Sequence, residues 1–278
     1  MGTQSDPDCP VNDPRLLALQ DGLASLQLLA SPSTLARLLN YLDLLLKWNQ
    51  HYNLTAIRDA DTMLTQHLLD CLAILPSLDR HVHAIRSNPD TQASHAGQAQ
   101  PQGDAGTGTQ GIALRVLDVG SGAGLPGVVL AAMRAHWSVT CVDSVAKKAS
   151  FVRQVAAELS LPNLHAEHTR VEHLRGPAFD LIVSRAFASL ADFVSRTREQ
   201  LRPAGCWAAM KGKPPSEEIA ALPHDIAVFH VEPIHVPSLP AQRCLIWMRP
   251  VQAQRLQSVR LQDGSLHRQG LEEADKRG

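Results

Sequence analysis

The residues of this chain best suited to chemistry lie in one run, Val116-Leu117-Asp118-Val119-Gly120-Ser121-Gly122-Ala123-Gly124-Leu125-Pro126-Gly127. Its apolar start reads as a buried strand, and the glycines that follow read as a tight turn opening a helix. Glycine suits such a turn because it adopts backbone angles closed to other residues and lets a ligand approach the main chain. In open α/β sheets the carboxyl end of a strand is also where ligands bind. Gly122 to Gly127 fit the G-x-G-x-x-G pattern of dinucleotide sites, and Asp143 follows at about the distance needed to hold ribose hydroxyls. Read that way, the chain is an NAD-dependent oxidoreductase.

The elements that must position this loop are legible in the apolar spacing. Leu114 to Val119, Ser138 to Val142, Leu164 to Glu167, Phe179 to Val183, Gly205 to Met210, Ile226 to Val231 and Arg243 to Met248 read as seven strands. Helical segments are expected at about Pro126 to Ala135 and Ala146 to Leu159. Helix-length spacing between the first five strands implies a mostly parallel sheet covered on both faces. No helix separates the last two, so the sheet should end in an antiparallel pair, a Rossmann-like arrangement with a reversed last strand.

Ahead of the sheet, leucines at helical spacing from Leu16 to Leu46 indicate a small all-helical unit. Ser33 is expected to cap its second helix, Asn53 to make a turn, and a third helix from Thr62 to Leu75 to end at Pro76. Five divisions follow: a disordered tail over 1–12, a helical unit over 13–86, a disordered insertion over 87–111, the sheet domain over 112–250 and a flexible tail over 251–278. Ser87 to Gly111 offers no apolar side chain larger than Ala, too little to offset its ordering entropy.

Composition narrows the function classes. The 278 residues are 44% hydrophobic and 19% charged, with 26 Lys and Arg against 27 Asp and Glu, which excludes a wholesale polybasic nucleic-acid binder. No run approaches the roughly 18 apolar residues that cross a bilayer, and the N-terminus lacks a secretion signal. The cytoplasm is the expected compartment. The cysteines, Cys9, Cys71, Cys141, Cys206 and Cys244, are odd in number and widely spaced, so a disulfide framework is not expected. His165, His168 and His173 cluster without the ligand spacing of zinc sites, and no metal is expected.

Asp118-x-Gly120-x-Gly122-x-Gly124 also fits the D-x-G-x-G-x-G loop of S-adenosylmethionine-dependent methyltransferases, which likewise expects an acid after the second strand. The wider sequence separates the two cofactors. Leu46-Lys47-Trp48-Asn49 to Asn53-Leu54-Thr55-Ala56-Ile57, His67-Leu68-Leu69-Asp70-Cys71-Leu72, Asp118 to Gly127, Asp143-Ser144 with Lys147-Lys148, and Ser184-Arg185-Ala186-Phe187-Ala188 resemble the signature blocks of the glucose-inhibited division protein B family. That family consists of guanine-N7 methyltransferases of small-subunit (16S) ribosomal RNA. The resemblance implies a class I methyltransferase fold behind an N-terminal helical unit, with S-adenosylmethionine as cofactor and no metal. It implies as partner the 16S ribosomal RNA, within the small subunit or its precursor.

Carried over residue by residue, the family's cofactor contacts fall on Gly120 and Leu125 in the loop, Val171 and Glu172 after the third strand, and Arg185 after the fourth, and the glycine pattern and the ribose-holding acid add Gly122 and Asp143 as cofactor candidates. Arg185 could pair bidentately with a carboxylate or phosphate. Competing readings make Leu125 and Val171 core residues, Glu172 a helix-start acid and Arg185 a surface ion pair. Asn53 and His67 read either as substrate-facing or as a turn former and a satisfied helix histidine.

Guanine N7 presents an unprotonated lone pair and a sulfonium leaves without protonation, so no general base is nominated. Holding the reactants in line can contribute about 7 to 11 kcal/mol. For the RNA side, residues 145–213 hold 11 Lys and Arg against 6 Asp and Glu, suited to phosphate contact. Lys147, Arg196, Lys211 and Lys213 are the candidates, with Lys148, Arg198 and Arg202 nearby. An ordinary solvated face is the competing reading. The rival functions are the oxidoreductase and a ribosome-assembly factor that keeps the fold without turnover.

Overall fold

The computed structural model describes residues 13–86, 114–185 and 187–251. The stretches expected to be disordered, 1–12 and 87–111, and nearly all of the tail expected to be flexible, 251–278, lie outside the described residues.

The helical unit begins with α1 (Pro14–Ser25) and α2 (Pro32–Tyr52), each with proline in its first turn. Proline has no N–H to satisfy there, and its fixed φ suits the position. The cap of α2 is therefore Ser31, whose hydroxyl accepts from the Thr34 amide at 3.1 Å, and not the expected Ser33. Asn53 closes α2 in the left-handed region at φ 47°, the turn-forming role its type suits. The expected third helix is compound: α3 (Ala60–Met63), a π-helical stretch (Leu64–Leu69) and α4 (Asp70–Leu72). Pro76 does not end it but sits in the first turn of a further helix, α5 (Leu75–Arg86), by the same logic that governs Pro32.

Beyond residue 113 come β1 (Leu114–Val119), α6 (Gly127–Met133), β2 (Trp137–Asp143), α7 (Ala146–Glu158), β3 (Leu164–His168) and β4 (Phe179–Ser184). Then follow α8 (Leu190–Thr197), β5 (Leu201–Lys211), α9 (Ser216–Ala220), β6 (Ile226–Ile234) and β7 (Arg243–Pro250). The seven strands form one sheet in the order β3-β2-β1-β4-β5-β7-β6. All neighbours are parallel except β7, which runs against both β5 and β6. This is the expected Rossmann-like sheet with a reversed last strand. One crossover is shorter than expected, since a single 3-10 turn (Val171–His173) joins β3 to β4.

Strand alternation divides the core between the two faces. Leu114, Val116, Leu181, Val183, Leu245 and Trp247 point to one side, where they join the leucines of α2 and the aliphatic residues of α6 and α7 in a single buried cluster. Leu117, Val119, Ile182, Trp207, Ile246 and Met248 point to the other, where α8 covers them. The helical unit and the sheet therefore share one core. Polar ties reinforce the join: Tyr41 Oη donates to Ala123 O at 2.9 Å and Arg37 Nε to Leu159 O at 3.1 Å. Among the described residues, no helix is long and apolar enough to cross a membrane.

Candidate active site

Parallel pairing brings the carboxyl ends of β1 to β4 to one edge of the sheet. After β1 the chain turns through Gly120 (φ 66°) and Gly122 (φ 59°), the left-handed region that excludes most side chains. The turn is tied to its neighbours: Gly120 N donates to Val142 O at 2.9 Å, and Gly122 N to Asp143 Oδ2 at 3.0 Å. Among the described residues, a Cβ added at Gly120 would meet nothing within 4 Å. Space is thus left open over the main chain there. Gly127 answers a different need, since a Cβ there would lie 2.3 Å from Cys141 Sγ and 2.9 Å from Asp118 Oδ2. Only glycine lets α6 start against the sheet at this point.

A cleft of about 530 Å³ opens beside the turn, lined among others by Gly120, Asp143, Val171, Glu172, Phe187 and Arg196. Asp143 is nearly buried, with Oδ1 accepting from Val145 N at 2.8 Å and Lys148 Nζ 3.9 Å from Oδ2. Each carboxylate oxygen retains a lone pair for a hydroxyl donor. The Glu172 side chain is shared with Arg196, whose Nη1 donates to Oε1 at 2.8 Å. Beneath the turn lies Asp118, fully buried, with Oδ2 accepting from Gly127 N at 2.8 Å and Oδ1 without a hydrogen-bond partner. Burial pushes its carboxyl up to about 7, against the opposing pull of the Gly127 amide and the Arg185 charge. A second cavity of about 560 Å³ lies beyond β5, between the ends of β6 and β7. Its walls are mostly proline and aliphatic side chains, such as Pro214, Pro233, Ile234 and Leu239, and it lacks the glycine turn and the ribose-competent acid. The first cleft is therefore the candidate cofactor site.

The structure brings four of the seven expected cofactor residues to that cleft: Gly120, Asp143, Val171 and Glu172. Gly122 supports it from behind through Asp143. Leu125 is packed in the main apolar cluster, and Arg185 turns toward the helical unit, with Nη1 3.3 Å from His67 Nδ1 and 3.7 Å from Asp70 Oδ2. Of the cations expected to meet RNA, Lys147 and Lys213 are exposed. Arg196 is paired with Glu172 on the rim of the cleft. Lys211 is held internally, its Nζ 2.8 and 3.0 Å from the two oxygens of Glu218. Arg198 and Arg202 pair with Asp225 and Asp180, each at 2.7 Å. His67 is buried, with Nε2 2.8 Å from Thr55 Oγ1. Asn53 stays on the surface, its Oδ1 accepting from Arg58 Nη2 at 3.3 Å.

Reasoning from sequence passed over three contributors. Phe187 lines the cleft from within the Ser184 to Ala188 block, so the motif itself was the missed signal. Asp70 lies in another signature block and joins two arginines, Arg185 and Arg243. Tyr41, which braces the glycine turn, carries no signal at all, because it reads as one more apolar position of an amphipathic helix.

A GidB family model, described as rRNA small subunit methyltransferase G, matches residues 34–86 and 107–246. A protein of Acidovorax sp. (strain JS42) named Ribosomal RNA small subunit methyltransferase G is 51% identical over 234 residues, covering 84% of this chain and 95% of its own length. The protein of that name from Leptothrix cholodnii is 54% identical over 213 residues, covering 77% and 85%. Among solved structures, TrmN from Thermus thermophilus aligns over 49% of this chain and 44% of that one, at 20% identity and a TM-score of 0.41.

Proposed function

Because the chain belongs to the rRNA small subunit methyltransferase G family, we propose that it moves a methyl group from S-adenosylmethionine to N7 of a guanine in small-subunit (16S) ribosomal RNA. The observation that carries the reading is the open glycine turn over a cleft of about 530 Å³ flanked by Asp143 and Glu172. The residues fit that donor. Open space at Gly120 admits a ligand against the backbone, and the Asp143 carboxylate beside it gives the turn a negative surround suited to a cation.

When bound, the donor supplies an electrophilic methyl on a positively charged sulfur. This chain's own residues hold and orient. Asp143 accepts from ribose hydroxyls while its remaining lone pairs keep the turn in shape. Val171 and Glu172 border the base-binding end, and Arg196 fixes Glu172 there. N7 carries its lone pair at neutral pH, so no side chain has to remove a proton, and catalysis reduces to alignment of the two reactants. Of the candidate cations, Lys147 and Lys213 are exposed and held in no ion pair among the described residues, so they meet phosphates at the rim, in the cytoplasm, on the small subunit or its precursor.

The test is turnover. Purified protein incubated with small ribosomal subunits and methyl-labelled donor should place label in the small-subunit RNA, and mass-spectrometric mapping should find it as 7-methylguanine. Label on another base would reject the N7 assignment, and no label would favour a non-catalytic assembly factor. Binding of NAD in place of S-adenosylhomocysteine would restore the oxidoreductase reading.

A further inference from the structure

We propose that Asp70 is a positioning residue: a carboxylate carried by the helical unit that aims Arg185 at the amino-acid end of the methyl donor. The proposal rests on the cofactor reading above and adds a residue from outside the sheet to that site.

The geometry begins with the strand order. Along the sheet edge lie, in sequence, the ends of β3, β2, β1 and β4. Glu172 follows β3, Asp143 ends β2, Gly120 follows β1 and Arg185 follows β4. Ser184 Oγ donates to Val119 O at 2.9 Å, so the ends of β4 and β1 are joined. An elongated donor with its nucleoside on Asp143 and Glu172 therefore extends its amino-acid portion past Gly120 toward Arg185. That portion carries a carboxylate, which a guanidinium fork is shaped to receive.

Arg185 does not hold itself there. Its Nη1 lies 3.3 Å from Gln66 O, 3.3 Å from His67 Nδ1 and 3.7 Å from Asp70 Oδ2. Three neighbouring residues around the π-helical stretch thus surround one nitrogen. His67 Nδ1 lies 3.1 Å from Gln66 O as well as 3.3 Å from this Nη1, so its hydrogen serves the carbonyl or its lone pair the guanidinium, and the Thr55 hydroxyl, 2.8 Å from Nε2, can donate or accept to suit either tautomer. The Thr55 amide in turn donates to Asn49 Oδ1 at 2.9 Å, and Asn49 Nδ2 to Ile57 O at 2.9 Å. Blocks that look separate in sequence close into one support for the guanidinium.

Asp70 differs from an ordinary ion-pair partner in being shared. Its Oδ1 accepts from Arg243 Nε at 2.7 Å while Oδ2 faces Arg185, so one buried negative charge serves two positive ones. Asp70 alone does not balance both arginines, and Asp118 adds a second acid near Arg185. A guanidinium fixed by them at the end of β4 presents the fork of donors that a carboxylate fits.

The experiment uses two ligands of the full-length protein that share the nucleoside and differ at its far end. S-adenosylhomocysteine has the amino-acid portion, and 5′-methylthioadenosine lacks it. Asp70→Asn should weaken S-adenosylhomocysteine roughly ten- to a hundredfold, as loss of a charge-assisted contact would, and leave 5′-methylthioadenosine within about twofold. Parallel loss of both ligands, or no loss of either, overturns the proposal. Asp70→Asn with Arg185→Gln should bind S-adenosylhomocysteine no more weakly than Arg185→Gln alone, and additive losses reject the coupling. Should Asp70→Asn fail to fold, Asp70→Glu, which keeps the charge and displaces it, must show the same split between ligands at smaller size. If the unaltered protein binds neither ligand, the cofactor reading itself falls.

Discussion

Two neighbouring regions of the carboxyl edge treat their polar groups in opposite ways. At the glycine turn, among the described residues, Asp118 Oδ1 is buried without a hydrogen-bond partner and a Cβ on Gly120 would meet nothing within 4 Å. At the Asp70 junction both carboxylate oxygens and both nitrogens of His67 are engaged. Open space over the main chain leaves the turn able to take a further group, whereas the polar atoms of the junction already satisfy one another. The contrast separates a place built to receive from a place built to hold.

The largest expected effect comes from closing the receiving side. Gly120→Val puts a β-branched side chain at φ 66°, into space that no described residue approaches within 4 Å. Methylation of small subunits should fall to background and S-adenosylhomocysteine binding should be lost. The strain itself should cost stability only about 1 to 2 kcal/mol. A folded variant with unchanged cofactor affinity would show that the turn is not where the donor lies.

The two regions should also titrate in opposite senses. Burial, with the Arg185 charge added, depresses His67 from 6.5 to about 4, so an unfolded chain takes up this proton first. Its contribution is intact above about pH 6.5 and is lost as pH falls toward 4. Asp118, raised from 3.8 to about 7, does the reverse: its contribution is present at low pH and is lost as pH rises through 7. Between about pH 4 and 6.5 the two slopes oppose each other. Urea unfolding across that window should show a steeper acid decline in Asp118→Asn and a shallower one in His67→Gln. Identical slopes in the variants and the unaltered protein would remove both residues from the pH response.

The smallest effect belongs to the rim. Lys213→Ala should leave cofactor affinity alone and flatten the salt dependence of RNA association by roughly one phosphate contact, a log–log slope change of about 0.7 to 0.9. Lys211→Ala should change that slope less, because its ammonium already serves Glu218. Equal slope changes for the two lysines would mean that the Glu218 pair opens to admit RNA.

What the sequence revealed follows the range of the forces involved. The seven strands were legible because alternation is imposed residue by residue, and the glycine turn because local backbone angles demand glycine. The two helix boundaries that differ from expectation share one cause: Ser33 as a cap and Pro76 as a stop both assume that proline stands outside a helix, whereas Pro32 and Pro76 sit inside first turns, where a missing N–H costs nothing. The π-helical winding and the partners of Arg185 and Lys211 depend on contacts between elements distant in the chain or on how two short elements pack. Such contacts leave no periodic trace. Asp70 illustrates the limit, because its block was recognised while its partners lie 115 and 173 residues away.

The widened winding over Leu64–Leu69 has a consequence for how length may vary there. A π-helical stretch behaves as an α-helix carrying one surplus residue, and each residue of an α-helix turns the chain by about 100°. The wider winding takes up the roughly 100° that the surplus residue would otherwise add, so deleting one position within it would restore standard winding and leave the carboxylate after it facing both guanidinium groups. The segment can shorten by one residue and still deliver what it carries, whereas a residue lost from the regular turns beside it would unhitch that carboxylate.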